Sequence, residues 1–187
     1  MCSKILLVIT AIICSGVVYA QEGSSATETE ESLKNCHRLT LSISHSHIKE
    51  GLKNESGLTG ITVASWALDY DYWFSNHWAI GLHNDMLLEN FSVATERNDK
   101  EEEVLERSYP VASVPVLLYK PWKHILFLGG VGGEFAKGEN FMVYRVGTEL
   151  SWPINKSWEI GVSATYDMKK SYDTWLIGFG ISKLFHR

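Results

Sequence analysis

The chain has 187 residues, a formal net charge of −5 and 45% hydrophobic residues. It carries no basic block and no basic–aromatic stripe, which excludes nucleic acid as a partner, and its length suits one domain. Aromatics make up 12% of the chain and tryptophan alone seven residues, rich for a sequence without a long apolar helix.

Residues 1–20 have one basic residue, Lys4, then an apolar run from Ile5 to Ile13 and small residues ending at Ala20. This is the pattern of a cleaved secretory signal, too short and interrupted for a transmembrane helix. Of three cysteines only Cys36 lies beyond it, so the mature fold has to close without an internal disulfide. Residues 21–36 are polar, acidic and without periodicity, as expected of a flexible periplasmic leader.

From residue 37 to residue 187 the pattern is a period of two. Eight segments show it: 37–48, 60–73, 77–91, 107–119, 124–135, 141–152, 157–168 and 173–185. None shows a 3.6-residue repeat. In the second segment Trp66, Leu68, Tyr70 and Tyr72 alternate with Ser65, Ala67, Asp69 and Asp71. After a turn at Phe74-Ser75-Asn76, Trp78, Ile80, Leu82 and Met86 alternate with Ala79, Gly81, His83 and Asp85. Each arm is long enough to cross a bilayer at a tilt. The same alternation assigns a membrane face to Leu39, Leu41 and Ile43, to Val114, Val116 and Leu118, and to Tyr144, Val146 and Leu150. It does so also for Ile160, Val162, Ala164 and Tyr166, and for Trp175, Ile177, Phe179 and Ile181.

The connections support a membrane barrel. Three are short (FSN, KPWK, PINK), whereas those after the first and third segments are longer and polar, the third heavily charged. Even strand number, short turns on one rim and longer loops on the other are features of outer-membrane barrels. Trp73, Trp78, Trp122, Trp152 and Trp158 flank or lie in the short turns, where amphipathic rings form an interfacial girdle; Phe91, Tyr109, Phe135, Phe141, Tyr172 and Trp175 suit the opposite rim. A soluble lipocalin-like barrel would have to hold all the bulky apolar residues inside, and so narrow an interior would be overfilled. The expected fold is therefore all-β, an eight-stranded antiparallel transmembrane up-and-down barrel. Pro110 and Pro115, which remove ladder donors, predict a bulge in the fourth strand.

The last segment, DTWLIGFGISKLF, has alternate apolar residues leading to Phe185. In this it resembles the small eight-stranded outer-membrane barrels similar to OmpX and the membrane domain of OmpA, in which such a terminal strand is the signal read by the barrel-assembly machinery. Lys183 occupies a position usually apolar in that family, and His186 and Arg187 follow the aromatic. The resemblance is architectural, over residues 37–185; it implies fold, outer-membrane location and contact with outer-membrane lipids and lipopolysaccharide, and it carries over no catalytic residues.

The inward face collects Arg38, Ser42, Asp69, Asp71, His83, Asp85, Glu89, Arg145, Gly147, Glu149, Glu159, Gly161, Asp167, Gly178 and Gly180. Eight strands leave room only for side chains. A charge network of Arg38, Asp69, His83, Asp85, Arg145 and Glu149 is therefore expected to plug the lumen, the alternative being a small ion path. At the top of the first strand His45 and His47 share a face, a spacing open to metal binding or, with Ser46, to acyl transfer as in lipid A-modifying barrel enzymes. Neither ligand count nor a base-orienting partner is evident, so no enzyme, metal or cofactor is assigned. The acidic stretch from Glu96 to Arg107 reads as a solvated loop, and its spacing matches no cation-binding motif. The expected role is structural or surface-interacting, with a possible extracellular ligand.

Overall fold

The computed structural model describes residues 32–49, 51–52, 60–96 and 102–185. The signal segment, nearly all of the leader, parts of the first and third connections, and His186 and Arg187 lie outside the described residues. Eleven strands follow in order: β1 (Cys36–Ile48), β2 (Gly51–Leu52), β3 (Ile61–Trp73), β4 (Trp78–Leu87), β5 (Phe91–Glu96), β6 (Glu102–Arg107), β7 (Val111–Tyr119), β8 (Ile125–Phe135), β9 (Phe141–Asn155), β10 (Trp158–Met168) and β11 (Thr174–Phe185). Eight of them form a closed antiparallel barrel in the order β1-β11-β10-β9-β8-β7-β4-β3. Closure comes from β1, which pairs with β11 through Leu41↔Ile181 and with β3 through Leu41↔Leu68. A closed barrel satisfies the backbone of every strand in its wall, the condition for crossing lipid with strands.

Period-two patterning sorts the side chains. Leu39, Leu41, Ile43, Trp66, Leu68, Tyr70, Ile80, Leu82, Tyr144, Val146, Leu150, Val162, Ile177, Phe179 and Ile181 are all exposed on the outer wall. Arg38, Asp71, His83, Asp85, Arg145, Glu149, Glu159 and Asp167 are buried inside it. Glu89 is an exception: it is exposed, because β4 stops at Leu87.

Three expectations about faces fail, one of them at the far rim, where Phe91, Phe141 and Tyr172 are buried. Val114, Val116 and Leu118 are buried in the interior, while Val111, Leu117 and Tyr119 are exposed. Both faces of β7 are apolar, so alternation does not distinguish them; the partner strand does, since His83↔Val114 and Asp85↔Ala112 are directly paired and paired residues share a face. Trp73 is 0% exposed and stands inside the short-turn end, not in an outer girdle. It has the same parity as Asp69 and Asp71, and parity overrides its nearness to the turn.

The third connection also differs. The segment expected as an acidic loop forms the β5–β6 hairpin, extended by β2 into a three-stranded sheet separate from the barrel. The chain breaks at 88–90 and again at 108–110, where Tyr109 takes φ 44° and Asn90 accepts a hydrogen bond from Ser108 at 2.9 Å. No bulge marks Pro115. The register of β7 with β8 is the same below and above it, Val116↔Gly130 and Ser113↔Gly133, although the two pairs between are missing. Pro110 precedes the strand. Gly130 and Gly132 absorb the irregularity, since a Cβ there would sit 2.1 Å from the Pro115 carbonyl oxygen and 2.2 Å from that of Ser113. The register shift falls between Trp158 and Glu159 instead.

Candidate functional site: the barrel lumen

Two arginines span the lumen. Arg38 of β1 donates from Nη1 and Nη2 to Glu149 on β9 at 2.8 and 3.1 Å, and from Nε to Asp71 on neighbouring β3 at 2.9 Å. Arg145 of β9 donates to both oxygens of Asp167 on adjacent β10, each at 2.7 Å, and across the lumen to Asp85 on β4. β1 and β9 lie three strands apart around the wall, as do β9 and β4, so each guanidinium ties opposite walls. Fork-shaped guanidinium donors match paired carboxylate oxygens, which fixes geometry as well as charge.

His83 and Asp69 lie beside this network. His83 Nε2 is 3.1 Å from Asp71 Oδ1 and its Nδ1 is 4.0 Å from Asp69 Oδ2. Asp69 also accepts a hydrogen bond from the Asn84 amide at 3.2 Å. The six residues expected to form a lumen network therefore all face the interior, in two linked groups joined to Asp71 and Asp167. Opposite them stand small residues: Gly161, Gly178 and Gly180, with hydroxyl pairs Thr40–Ser182 at 2.8 Å and Ser44–Ser65 at 2.7 Å. Between the two walls remains a cavity of about 40 Å³ touching Ser42, Asp69, His83, Arg145, Glu149 and Thr165. That is room for a few waters.

Apolar clusters lie toward both ends of the lumen. Trp73, Cys36, Ala79, Leu118, Leu126 and Leu184 pack at the short-turn side, with Leu33 against them. There Lys120 lies 3.9 Å from Glu159, and burial holds its ammonium below the usual lysine range, Glu159 only partly offsetting this. At the other end Ile48, Val63, Leu87, Phe91, Val93, Phe141 and Tyr172 form a second cluster.

A mouth cluster that sequence reasoning missed caps this second group. Glu134 of β8 is contacted by Arg107 at 2.5 Å, by Lys169 at 2.6 Å and by the Tyr172 hydroxyl. The Arg107 guanidinium stacks on Phe141 at 4.6 Å, and Lys169 lies 4.2 Å from the Tyr172 ring. Burial, with Glu134 alongside, pushes the Tyr172 phenol well above its ordinary pKa, so it remains a donor. The parity of Glu134 with Leu126, Leu128, Gly130 and Gly132 is the available signal, but Arg107 sits where the acidic stretch meets the fourth segment, which gives it no face. Phe91, Phe141 and Tyr172, expected at an outer rim, are buried here; Tyr109, Phe135 and Trp175 are exposed.

Of the tryptophans at the short-turn rim, Trp78, Trp122, Trp152 and Trp158 are exposed. Phe185 is exposed at the end of β11 and pairs with His37. His45 and His47 are exposed on the outer wall, His47 Nδ1 lying 3.3 Å from Thr62 Oγ1. Ser46 is buried on the opposite face against Ser65 at 2.7 Å. Period two thus puts the hydroxyl and the imidazoles on different sides of the wall, and the acyl-transfer constellation is not assembled.

No protein-family model matches the chain, and no curated protein sequence matches it. Solved structures do. Ail of Yersinia pestis superposes with a TM-score of 0.52 at 13% identity, over 81% of this chain and 99% of that one; Ail has also been crystallised with the heparin analogue sucrose octasulfate. OprG of Pseudomonas aeruginosa gives 0.56 at 12% identity, over 82% and 98%. The N-terminal barrel domain of OprF from the same organism gives 0.52 at 8% identity, over 83% and 100%. With its closed eight-stranded wall, apolar outside and charged within, the chain has the fold of the small outer-membrane β-barrels.

Proposed function

We propose that this protein resides in the bacterial outer membrane as an integral barrel with a structural or surface-interaction role and no enzymatic activity. Its lumen is a plug. The observation that carries this reading is the pair of arginine bridges, Arg38–Glu149 and Arg145–Asp85, which tie opposite walls between two apolar closures. Its partners are outer-membrane lipids with lipopolysaccharide, the barrel-assembly machinery reading the strand that ends at Phe185, and a ligand at the extracellular hairpin. Because that hairpin is acidic in sequence between Glu96 and Glu106, it suits a cationic ligand better than a polyanion of the kind bound to Ail.

Folded into planar bilayers, the protein should show little or no steady conductance. Stable ohmic channels would overturn the plug. Cell fractionation with N-terminal sequencing should place a chain beginning at Gln21 in the outer membrane; recovery as a soluble periplasmic protein would overturn the location.

A further inference from the structure

The exposed side chains of the short turns, among the described residues, carry one sign of charge. Among the described residues, the three turns at 74–77, 120–124 and 153–157 contain His77, Lys120, Lys123, His124 and Lys156 and no aspartate or glutamate, and the 32–35 segment adds Lys34. Segment and first turn meet directly: the Lys34 amide donates to Asn76 Oδ1 at 3.1 Å, as does the Ser32 hydroxyl at 2.8 Å. Lys120 turns inward to Glu159, but Lys34 and Lys156 are exposed.

These lysines are interleaved with apolar rings at the same level. Each turn also presents an exposed apolar residue, Phe74, Trp122 or Ile154, and Trp78, Trp152 and Trp158 stand on the wall just inside. Lys183, at a position on the outer wall otherwise apolar along β11, lays its ammonium over the Trp158 ring at 4.7 Å. His124 stacks on Trp152 with 6.3 Å between ring centroids. Tryptophan seeks the level of lipid headgroups, and a lysine stem lies along the apolar wall while its ammonium reaches the phosphate layer.

We propose that this basic rim is a binding surface for anionic phospholipid headgroups of the periplasmic leaflet, with Lys34, Lys156 and Lys183 meeting the phosphates. The proposal rests on the outer-membrane reading above. Charge complementarity selects an anionic occupant, and the interleaved tryptophans and apolar turn tips select a lipid surface over an acidic protein, for which the rings would have to leave the membrane boundary. Such a collar would fix the depth of the barrel at the end where the wall is shortest in loops.

The test uses the full chain inserted into vesicles of brominated phosphatidylglycerol, brominated phosphatidylcholine or mixtures, with quenching of rim tryptophan fluorescence as the readout. The native chain should prefer phosphatidylglycerol by about fivefold or more, the effect of one lysine at a charged surface, and added salt should weaken the preference. The double substitution Lys34→Ala, Lys156→Ala changes only exposed side chains outside the barrel wall and should weaken the preference severalfold while the barrel still inserts, Lys183 sustaining what remains. Equal quenching by both lipids in the native chain, or an undiminished preference in the double variant, would overturn the proposal. So would a native chain without lipid preference that binds polyglutamate, which would assign the rim to an acidic protein. Failure of the native chain to insert into any vesicle, seen as loss of heat-modifiable migration, would refute the membrane reading itself and the proposal with it.

Discussion

Arg145→Ala is the most direct perturbation of the proposed plug. Arg145 is 2% exposed and makes two bonds of 2.7 Å to Asp167 and one to Asp85. Removing the guanidinium leaves two carboxylates facing each other without their cation in a water-poor interior. Breaking a buried pair in this way costs about 3–5 kcal/mol. The adjoining cavity of about 40 Å³ lets water reach part of the stranded charge, which favours the lower end, about 3 kcal/mol, or roughly a hundredfold in the unfolding equilibrium. Urea unfolding of the vesicle-inserted protein, followed by tryptophan fluorescence and by heat-modifiable gel migration, measures this. The combined variant Arg145→Met, Asp85→Asn, Asp167→Asn removes the charges together and should recover most of the loss, because an intact buried network contributes little net stability over neutral packing. An Arg145→Ala barrel as resistant as its parent would show that these charges line water and not each other.

Three further outcomes follow from the geometry. Trp73→Ala, which empties a fully buried site, should lower stability by about 3–5 kcal/mol, whereas Trp122→Ala, at a ring 62% exposed, should change it by less than about 0.5 kcal/mol in the same urea assay. Gly130→Val should prevent assembly, judged by loss of the heat-modifiable band, since its Cβ would lie 2.1 Å from the Pro115 carbonyl oxygen; Gly129→Ala, whose nearest neighbour is at 3.8 Å, should fold normally. His45→Ala should leave the acyl composition of cellular lipid A unchanged by mass spectrometry, as Ser46 faces the other side of the wall.

Strand faces were legible wherever one face was polar. In β3 and β4 the alternation of Asp69, Asp71, His83 and Asp85 with tryptophan, tyrosine and leucine leaves one solution, since a slip of one residue would put four ionisable groups into lipid. From those faces alone the inward Arg38, Arg145 and Glu149 acquire partners, and the lumen network becomes readable as a set. What a single strand does not encode is which partner each arginine takes. That Arg38 reaches Glu149 and Arg145 reaches Asp85 depends on the stagger of strands three places apart around the wall.

Where both faces are apolar, the deciding information belongs to a pair of strands. Nothing within Val111 to Tyr119 distinguishes Val114 from Leu117, yet pairing with β4 sets Val114 beside His83 and Ala112 beside Asp85. Polarity in one strand thereby assigns the faces of its apolar neighbour, and β7 passes the assignment to β8 through Ala112↔Glu134. The same propagation would have found Glu134 as an inward charge at the mouth and sought its counter-charge at Arg107. The hairpin that supplies Arg107 was hidden for a different reason: charged residues suit a solvated loop and an exposed strand alike, so composition could not separate them. Only the pairing of Phe91 with Arg107 carries the β4–β7 connection beyond the barrel and returns a cation to its mouth.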